Sequence, residues 1–143
     1  MRAAVPLHTG GCEWVIDAQG CDPARLADAD ALRALFARII AILDLRPVAE
    51  PQWHAFPSLG THPGGVTGLC LLAESHLAVH TFPEHGSLCL NLFCCRPRPE
   101  WDVRLALSEV LGSDTPIEVQ VRRLERHYAS THEGALRAAL PAG

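Results

Sequence analysis

The chain has 143 residues, 48% of them hydrophobic and 20% charged, a length and balance that support one folded domain and exclude a disordered or fibrous polypeptide. Twelve Lys and Arg against sixteen Asp and Glu leave a net charge of −4, which supplies no basic surface for nucleic acid or an anionic membrane and favours a small solute as partner. No apolar run approaches the roughly 20 residues of a membrane-spanning helix. The stretch Met1–Glu13 lacks the basic flank, long apolar run and small-residue cleavage site of a secretory signal, so a cytoplasmic protein with reduced thiols is expected.

Glu13 to Ala18 reads as a short strand, and Gly20, Cys21, Asp22 and Pro23 follow with turn and helix-start chemistry. A helix comes next, capped by Asp28 or Asp30, with Leu32, Leu35, Phe36, Ile39, Ile40 and Leu43 spaced along one face. That stripe is core. Val48 to Phe56 is a mixed pattern read as a strand, and Pro57 to Gly65 is a loop rich in Gly and Pro. Val66 to Leu72 and His76 to Thr81 are apolar strands interrupted by the polar pair Glu74 and Ser75. In Leu88 to Cys95 the alternation puts Leu88, Leu90, Leu92 and Cys94 on one face and Cys89, Asn91, Phe93 and Cys95 on the other. Pro99 is expected to open a helix running to about Leu111, with Val103, Leu107, Val110 and Leu111 inward. Ile117 to Val121 reads as a closing strand, and the polar tail from Glu125 as loose. This order predicts an α+β two-layer sandwich: a largely antiparallel sheet with two main helices on one face.

Reactive side chains concentrate between Glu74 and Cys95: an acid, a hydroxyl (Ser75), two imidazoles (His76, His80) and two thiols (Cys94, Cys95), in a segment otherwise apolar enough to be core. Buried polar groups there need partners. Metal binding is disfavoured, because His76 and His80 on one strand lie about 13 Å apart, adjacent Cys94 and Cys95 point to opposite faces, and paired CxxC spacing is absent. No metal is expected. Nucleophilic chemistry needs a base beside Ser75, and His80 could reach it if its strand folded back toward the turn. No GxSxG elbow surrounds Ser75, so these residues alone leave it a turn residue. His76 reads as structural, Cys94 as packing, and His54, His62 and His85 as solvated residues in or near loops.

The run LLAESHLAVHTFPE from Leu71 to Glu84, with Gly65, Val66 and Thr67 before it and Leu92 to Cys95 after it, resembles the signature of the short bacterial and archaeal S-adenosylmethionine decarboxylase proenzymes. Gly20, Cys21, Asp22 and Leu26 extend the likeness, which covers about Trp14 to Val121. The resemblance implies a single domain that cuts itself between Glu74 and Ser75 into residues 1–74 and 75–143. Ser75 then becomes a pyruvoyl group that forms a Schiff base with the substrate amine and takes the place of pyridoxal phosphate, so no external cofactor is needed. By the same likeness His80 is the processing acid or base, Thr67 assists the cut, Cys95 is the proton donor in turnover, and Glu84 binds the substrate's ribose hydroxyls. It also implies a homodimer, packed sheet against sheet, with active sites at the interface.

Four positions differ from the family's usual residues. No ring stands near Thr61, Phe82 replaces a tryptophan, Asn91 an aspartate, and Arg96 a glycine. Trp53 and Phe56 are the rings available to stack on adenine in place of the missing one. The expected activity is decarboxylation of S-adenosylmethionine for polyamine (spermidine) synthesis. The alternatives are the same self-cleavage serving a smaller amino acid such as ornithine or arginine, and a catalytically silent regulatory paralogue.

Overall fold

The computed structural model describes residues 8–129. Its elements are β1 (Gly10–Gln19), α1 (Pro23–Leu26), α2 (Ala29–Leu43), β2 (Gln52–Ala55), β3 (Val66–Leu72), β4 (Ser75–Phe82), β5 (Ser87–Cys94), α3 (Val103–Leu111) and β6 (Glu118–His127), with a 3₁₀ turn at Pro83–His85. The strands form one six-stranded sheet in the order β2-β3-β4-β5-β1-β6, each neighbouring pair antiparallel. The helices cover one face of it.

Helix α2 starts where the Asp28 carboxylate accepts the Asp30 N–H at 2.9 Å and stops at Asp44, whose φ of +51° turns the chain out of the helix. Its inward stripe is Leu32, Leu35, Phe36, Ile39 and Leu43, all buried, while Ile40 lies at the margin and is partly buried. These side chains meet the inward positions of the strands: Trp14 and Ile16 from β1, Leu77 and Val79 from β4, and Leu88, Leu90 and Leu92 from β5. Each such burial stabilises by about 1.5–3 kcal/mol. Trp53 joins this layer by stacking on Phe36, ring centroids 4.7 Å apart. It crosses over Gly68, where a Cβ would overlap its ring.

Strand β1 begins at Gly10 rather than Glu13, the ends of β4 and β5 move by a residue, and three further boundaries differ from the sequence expectation. The third helix begins at Val103 rather than Pro99, because the Asp102 carboxylate caps the Leu105 N–H at 2.9 Å and the preceding prolines lead the chain across to Glu74. Strand β2 is only Gln52–Ala55. Strand β6 continues to His127, so Glu125 to His127 are not loose. They pair with Cys12 to Gly10 of β1, and the rest of the expected tail, from 130, lies outside the described residues.

Candidate active site

The β3–β4 hairpin turns through Ala73 and Glu74 between the paired residues Leu72 and Ser75. Ser75 has φ +151°, a backbone region that L side chains rarely adopt and that stores about 1–3 kcal/mol of strain. The connection from α2 to β2 holds the turn in place. Ala73 N–H donates to the Arg46 carbonyl at 2.8 Å, Val48 N–H donates to the Leu71 carbonyl at 3.1 Å, and Pro47 bridges to Leu72. The Glu74 side chain points inward and is only 2% exposed. Its carboxylate accepts the Arg46 N–H at 3.1 Å and the Arg46 Nε–H at 3.0 Å, with Arg98 Nη2 3.4 Å away. Burial by itself pushes this carboxyl up, but the Arg46 hydrogen bonds, its own backbone N–H and the Arg46 charge outweigh it and hold Glu74 below its ordinary value of 4.5.

Across the next strand Ser75 pairs with Cys94, and the following residue, Cys95, donates its backbone N–H to the Glu74 carbonyl oxygen at 2.6 Å. Twenty positions apart in sequence, Ser75 and Cys95 become neighbours through strand pairing. That N–H sits on the oxygen that would gather charge if Ser75 attacked the Glu74 carbonyl carbon. Tyr128, just past β6, donates its hydroxyl hydrogen to the Cys95 carbonyl at 3.0 Å or to that of His8 at 2.9 Å. Cys94 faces the core, where burial pushes its thiol up to about 12. It packs, and an unreactive thiol is what such burial produces.

The other end of β4 carries the second group. Thr67 of β3 pairs with His80 of β4, and Thr67 Oγ1 lies 2.9 Å from His80 Nδ1. A cavity of about 450 Å³ opens beside them, lined by Phe56, His62, Thr67, His80, Phe82 and Glu84 among others. This is the size and mixed character of a small-molecule pocket. Gly65 forms part of its wall, where a Cβ would overlap the Thr81 carbonyl oxygen. The buried Thr81 hydroxyl donates to the Leu26 carbonyl at 2.6 Å and accepts the Val66 N–H at 2.8 Å, fixing this end of β4 to α1 and β3.

Between the two ends runs the helix-free face of the sheet. His76 Nε2 lies 3.0 Å from Asn91 Oδ1, and Asn91 donates through Nδ2 to Glu13 Oε1 at 2.7 Å. Arg126 pairs with the other Glu13 oxygen and stacks over Phe93. The Asn91 bond is the largest influence and holds the Glu13 carboxyl below its ordinary range; burial opposes it, and the Arg126 bond and the Arg126 and His76 charges add to the lowering. Leu71, exposed, pairs with His76 beside this network, and exposed Phe82 lies at the cavity end of the same strand.

The sequence reading let His80 reach Ser75 if its strand folded back toward the turn; instead β4 runs unbroken from Ser75 to Phe82, so five residues of strand separate them, about 17 Å at ~3.3 Å per residue. Ser75, Glu74 and Cys95 stand together at one end; Thr67, His80 and Glu84 stand together at the other. Trp53 cannot line the cavity, being spent against Phe36, whereas Phe56 does line it. His54 is exposed near the end of β2. Arg46 and Arg98 were missed by the sequence reading; the only signal was that an acid in an apolar segment needs a cation, and nothing in the sequence says which arginine comes to it. Among the described residues no three His, Cys, Asp or Glu side chains converge as a metal site, no helix is long and apolar enough to cross a membrane, and the six cysteines are free thiols.

Comparison with known proteins identifies the family. Residues 12–127 match the family model described as S-adenosylmethionine decarboxylase. The S-adenosylmethionine decarboxylase proenzyme of Thermococcus kodakarensis is 32% identical over 139 residues, covering 92% of this chain and 93% of that protein. The proenzyme of the same name from Geobacillus kaustophilus is 30% identical over 117 residues, covering 82% of this chain and 90% of the other. The crystal structure of the adenosylmethionine decarboxylase from Aquifex aeolicus superposes with a TM-score of 0.60 at 24% identity, over 84% of this chain and 92% of that one, a likeness of fold. With an antiparallel sheet, helices on one face and a match across nearly all of the described residues, the chain belongs to the S-adenosylmethionine decarboxylase family.

Proposed function

We propose that the chain cuts its own Glu74–Ser75 bond and, as a two-chain cytoplasmic homodimer with a pyruvoyl group at position 75, decarboxylates S-adenosylmethionine for polyamine (spermidine) synthesis. The observation that carries the reading is the Cys95 N–H on the Glu74 carbonyl at 2.6 Å, beside a serine at φ +151°. Attack of Ser75 Oγ on that carbonyl carbon places negative charge on an oxygen already holding a donor. The amide nitrogen leaves, and Glu74 becomes esterified to the serine oxygen. Loss of the Cα proton of residue 75 then expels the Glu74 carboxylate, and water displaces the nitrogen as ammonia, leaving a ketone at the head of the downstream fragment. Leaving the strained backbone geometry favours the forward direction.

The proton transfers need a base, and at the Ser75 end the neighbouring imidazole, His76, is bonded to Asn91 while the Glu74 carboxylate is held by Arg46. His80, fixed by Thr67, has the right chemistry but lies at the far end of its own strand. A second copy supplies it: two helix-free faces related by a two-fold axis bring the Thr67–His80 end of one protomer over the Ser75 end of the other. Exposed Leu69, Leu71, Phe82 and Leu124 give that face the apolar surface such a contact buries. In turnover the pyruvoyl carbonyl supplies an electron sink for the carbanion left by CO₂. Cys95, one residue beyond the strand partner of position 75, returns a proton to the substrate carbon, a task within the reach of a thiol. Glu84 accepts hydrogen bonds from ribose hydroxyls in the cavity. Phe56, half exposed in the same wall, presents a ring on which a flat base can stack in place of the one missing near Thr61.

Intact-mass measurement of freshly purified protein tests the cut, with turnover of S-adenosylmethionine, ornithine and arginine assayed alongside. The expected result is two chains, 1–74 and 75–143, the second lacking a free amine, with turnover of S-adenosylmethionine. A single uncut chain after prolonged incubation overturns the reading of self-cleavage. Two chains acting only on ornithine or arginine overturn the substrate.

A further inference from the structure

The uncut chain places more cation than anion around Glu74. Two guanidiniums, Arg46 and Arg98, approach one carboxylate. Arg46 makes the hydrogen bonds and is largely exposed at 67% of its side chain, so water solvates most of its charge. Arg98 is different. Its side chain is 19% exposed, its Nη2 lies 3.4 Å from Glu74 Oε1 without forming a hydrogen bond, and its Nε is buried with no partner among the described residues. A buried guanidinium donor left unpaired costs free energy, and a guanidinium can grip a second carboxylate through parallel N–H donors. Arg98 lies three residues beyond Cys95, on the connection whose first N–H rests on the Glu74 carbonyl.

We infer that Arg98 is held ready for the carboxylate that cleavage creates at the new end of the upstream fragment. The inference rests on the proposed self-cleavage. Breaking the Glu74–Ser75 bond consumes one water and releases one ammonia; it turns a neutral amide carbonyl into the terminal α-carboxylate of Glu74 and leaves an uncharged ketone at residue 75. The local charge passes from two cations and one anion to two of each. One oxygen of the new carboxylate keeps the Cys95 N–H, and the other takes the unspent donors of Arg98. The cleaved form is thereby favoured over the precursor, and the cut end stays docked beside the ketone instead of fraying into the site. Arg46 orders the turn before the cut; Arg98 acts after it.

The test compares melting temperatures of wild-type protein and Arg98→Gln, each in the cleaved form and on an uncleavable Ser75→Ala background. The expected result is that Arg98→Gln lowers the melting temperature of the cleaved protein by roughly 5–10 °C more than that of the uncleaved protein. Equal losses in both forms, or a larger loss in the uncleaved form, overturn the inference while leaving self-cleavage intact. A crystal structure of the cleaved wild-type protein decides independently if Arg98→Gln fails to fold or to cut. The Arg98 guanidinium within hydrogen-bond distance of the Glu74 terminal carboxylate supports the inference, and a guanidinium turned away from it refutes it. A wild-type protein found uncut by intact mass instead removes the reading on which this inference stands.

Discussion

The two ends of strand β4 solve opposite problems. At the Ser75 end the backbone is fastened: Arg46 grips Glu74 through its main chain and its side chain, Arg98 stands beside them, and the Cys95 N–H meets the carbonyl at 2.6 Å. At the His80 end there is an open cavity of about 450 Å³ with one imidazole fixed by a threonine. Among the described residues the first has the electrophile, with its neighbouring imidazole, His76, engaged by Asn91, and the second has an imidazole without that electrophile. Complementary halves about 17 Å apart on a rigid strand are a poor design for one chain and a workable one for two.

Substitutions that separate the halves sharpen this contrast. The largest effect belongs to Ser75→Ala: intact mass should show one chain, and decarboxylase activity should fall below detection. His80→Ala should slow cleavage by about 10³-fold, read as the fraction of cut chain on a denaturing gel over time; cutting at the wild-type rate would show that the Ser75 end suffices alone. Cys95→Ala keeps its backbone N–H, so cleavage should continue while turnover falls about 10²-fold. Loss of cleavage with the thiol would give that side chain a role the geometry assigns to its amide. Phe56→Ala, confined to the cavity, should leave cleavage unchanged and raise KM about tenfold.

The smallest effect concerns pH. Glu74 is held below its ordinary value, so the stability it contributes is present above the unfolded carboxyl range and is lost as pH falls from about 4.5 through the lower folded value. Uncut Ser75→Ala protein should therefore melt at progressively lower temperature below pH 4.5. Adding Arg46→Gln should flatten that slope, and an unaltered slope would show that Arg46 is not what holds the carboxyl.

Both halves differ in how much of them the sequence disclosed. The alternation of Leu88, Leu90, Leu92 and Cys94 is plain in the sequence because one face of β5 is fully buried, and α2 is equally plain from its capped stripe. The length of β6 was hidden, since an edge strand exposed along most of its length has no alternation to read. The start of α3 was misplaced because Pro99 mimics a helix start, whereas the capping carboxylate is Asp102, three residues later. The family resemblance named the candidate residues of the site but not their separation. His80 lies five positions from Ser75 in any conformation, and only the straightness of β4 shows that one chain cannot bring them into contact.

The central claim is that Ser75 of one protomer is served by His80 of its partner, and complementation between two inactive chains tests it most directly. His80→Ala protein, which keeps Ser75, is mixed with Ser75→Ala protein, which keeps His80, under conditions that exchange subunits, and the fraction of cut His80→Ala chain is measured by mass. The account predicts that this chain, nearly uncut alone, is cut in the mixture while the Ser75→Ala chain stays whole. A His80→Ala chain that remains uncut in verified mixed dimers would contradict it.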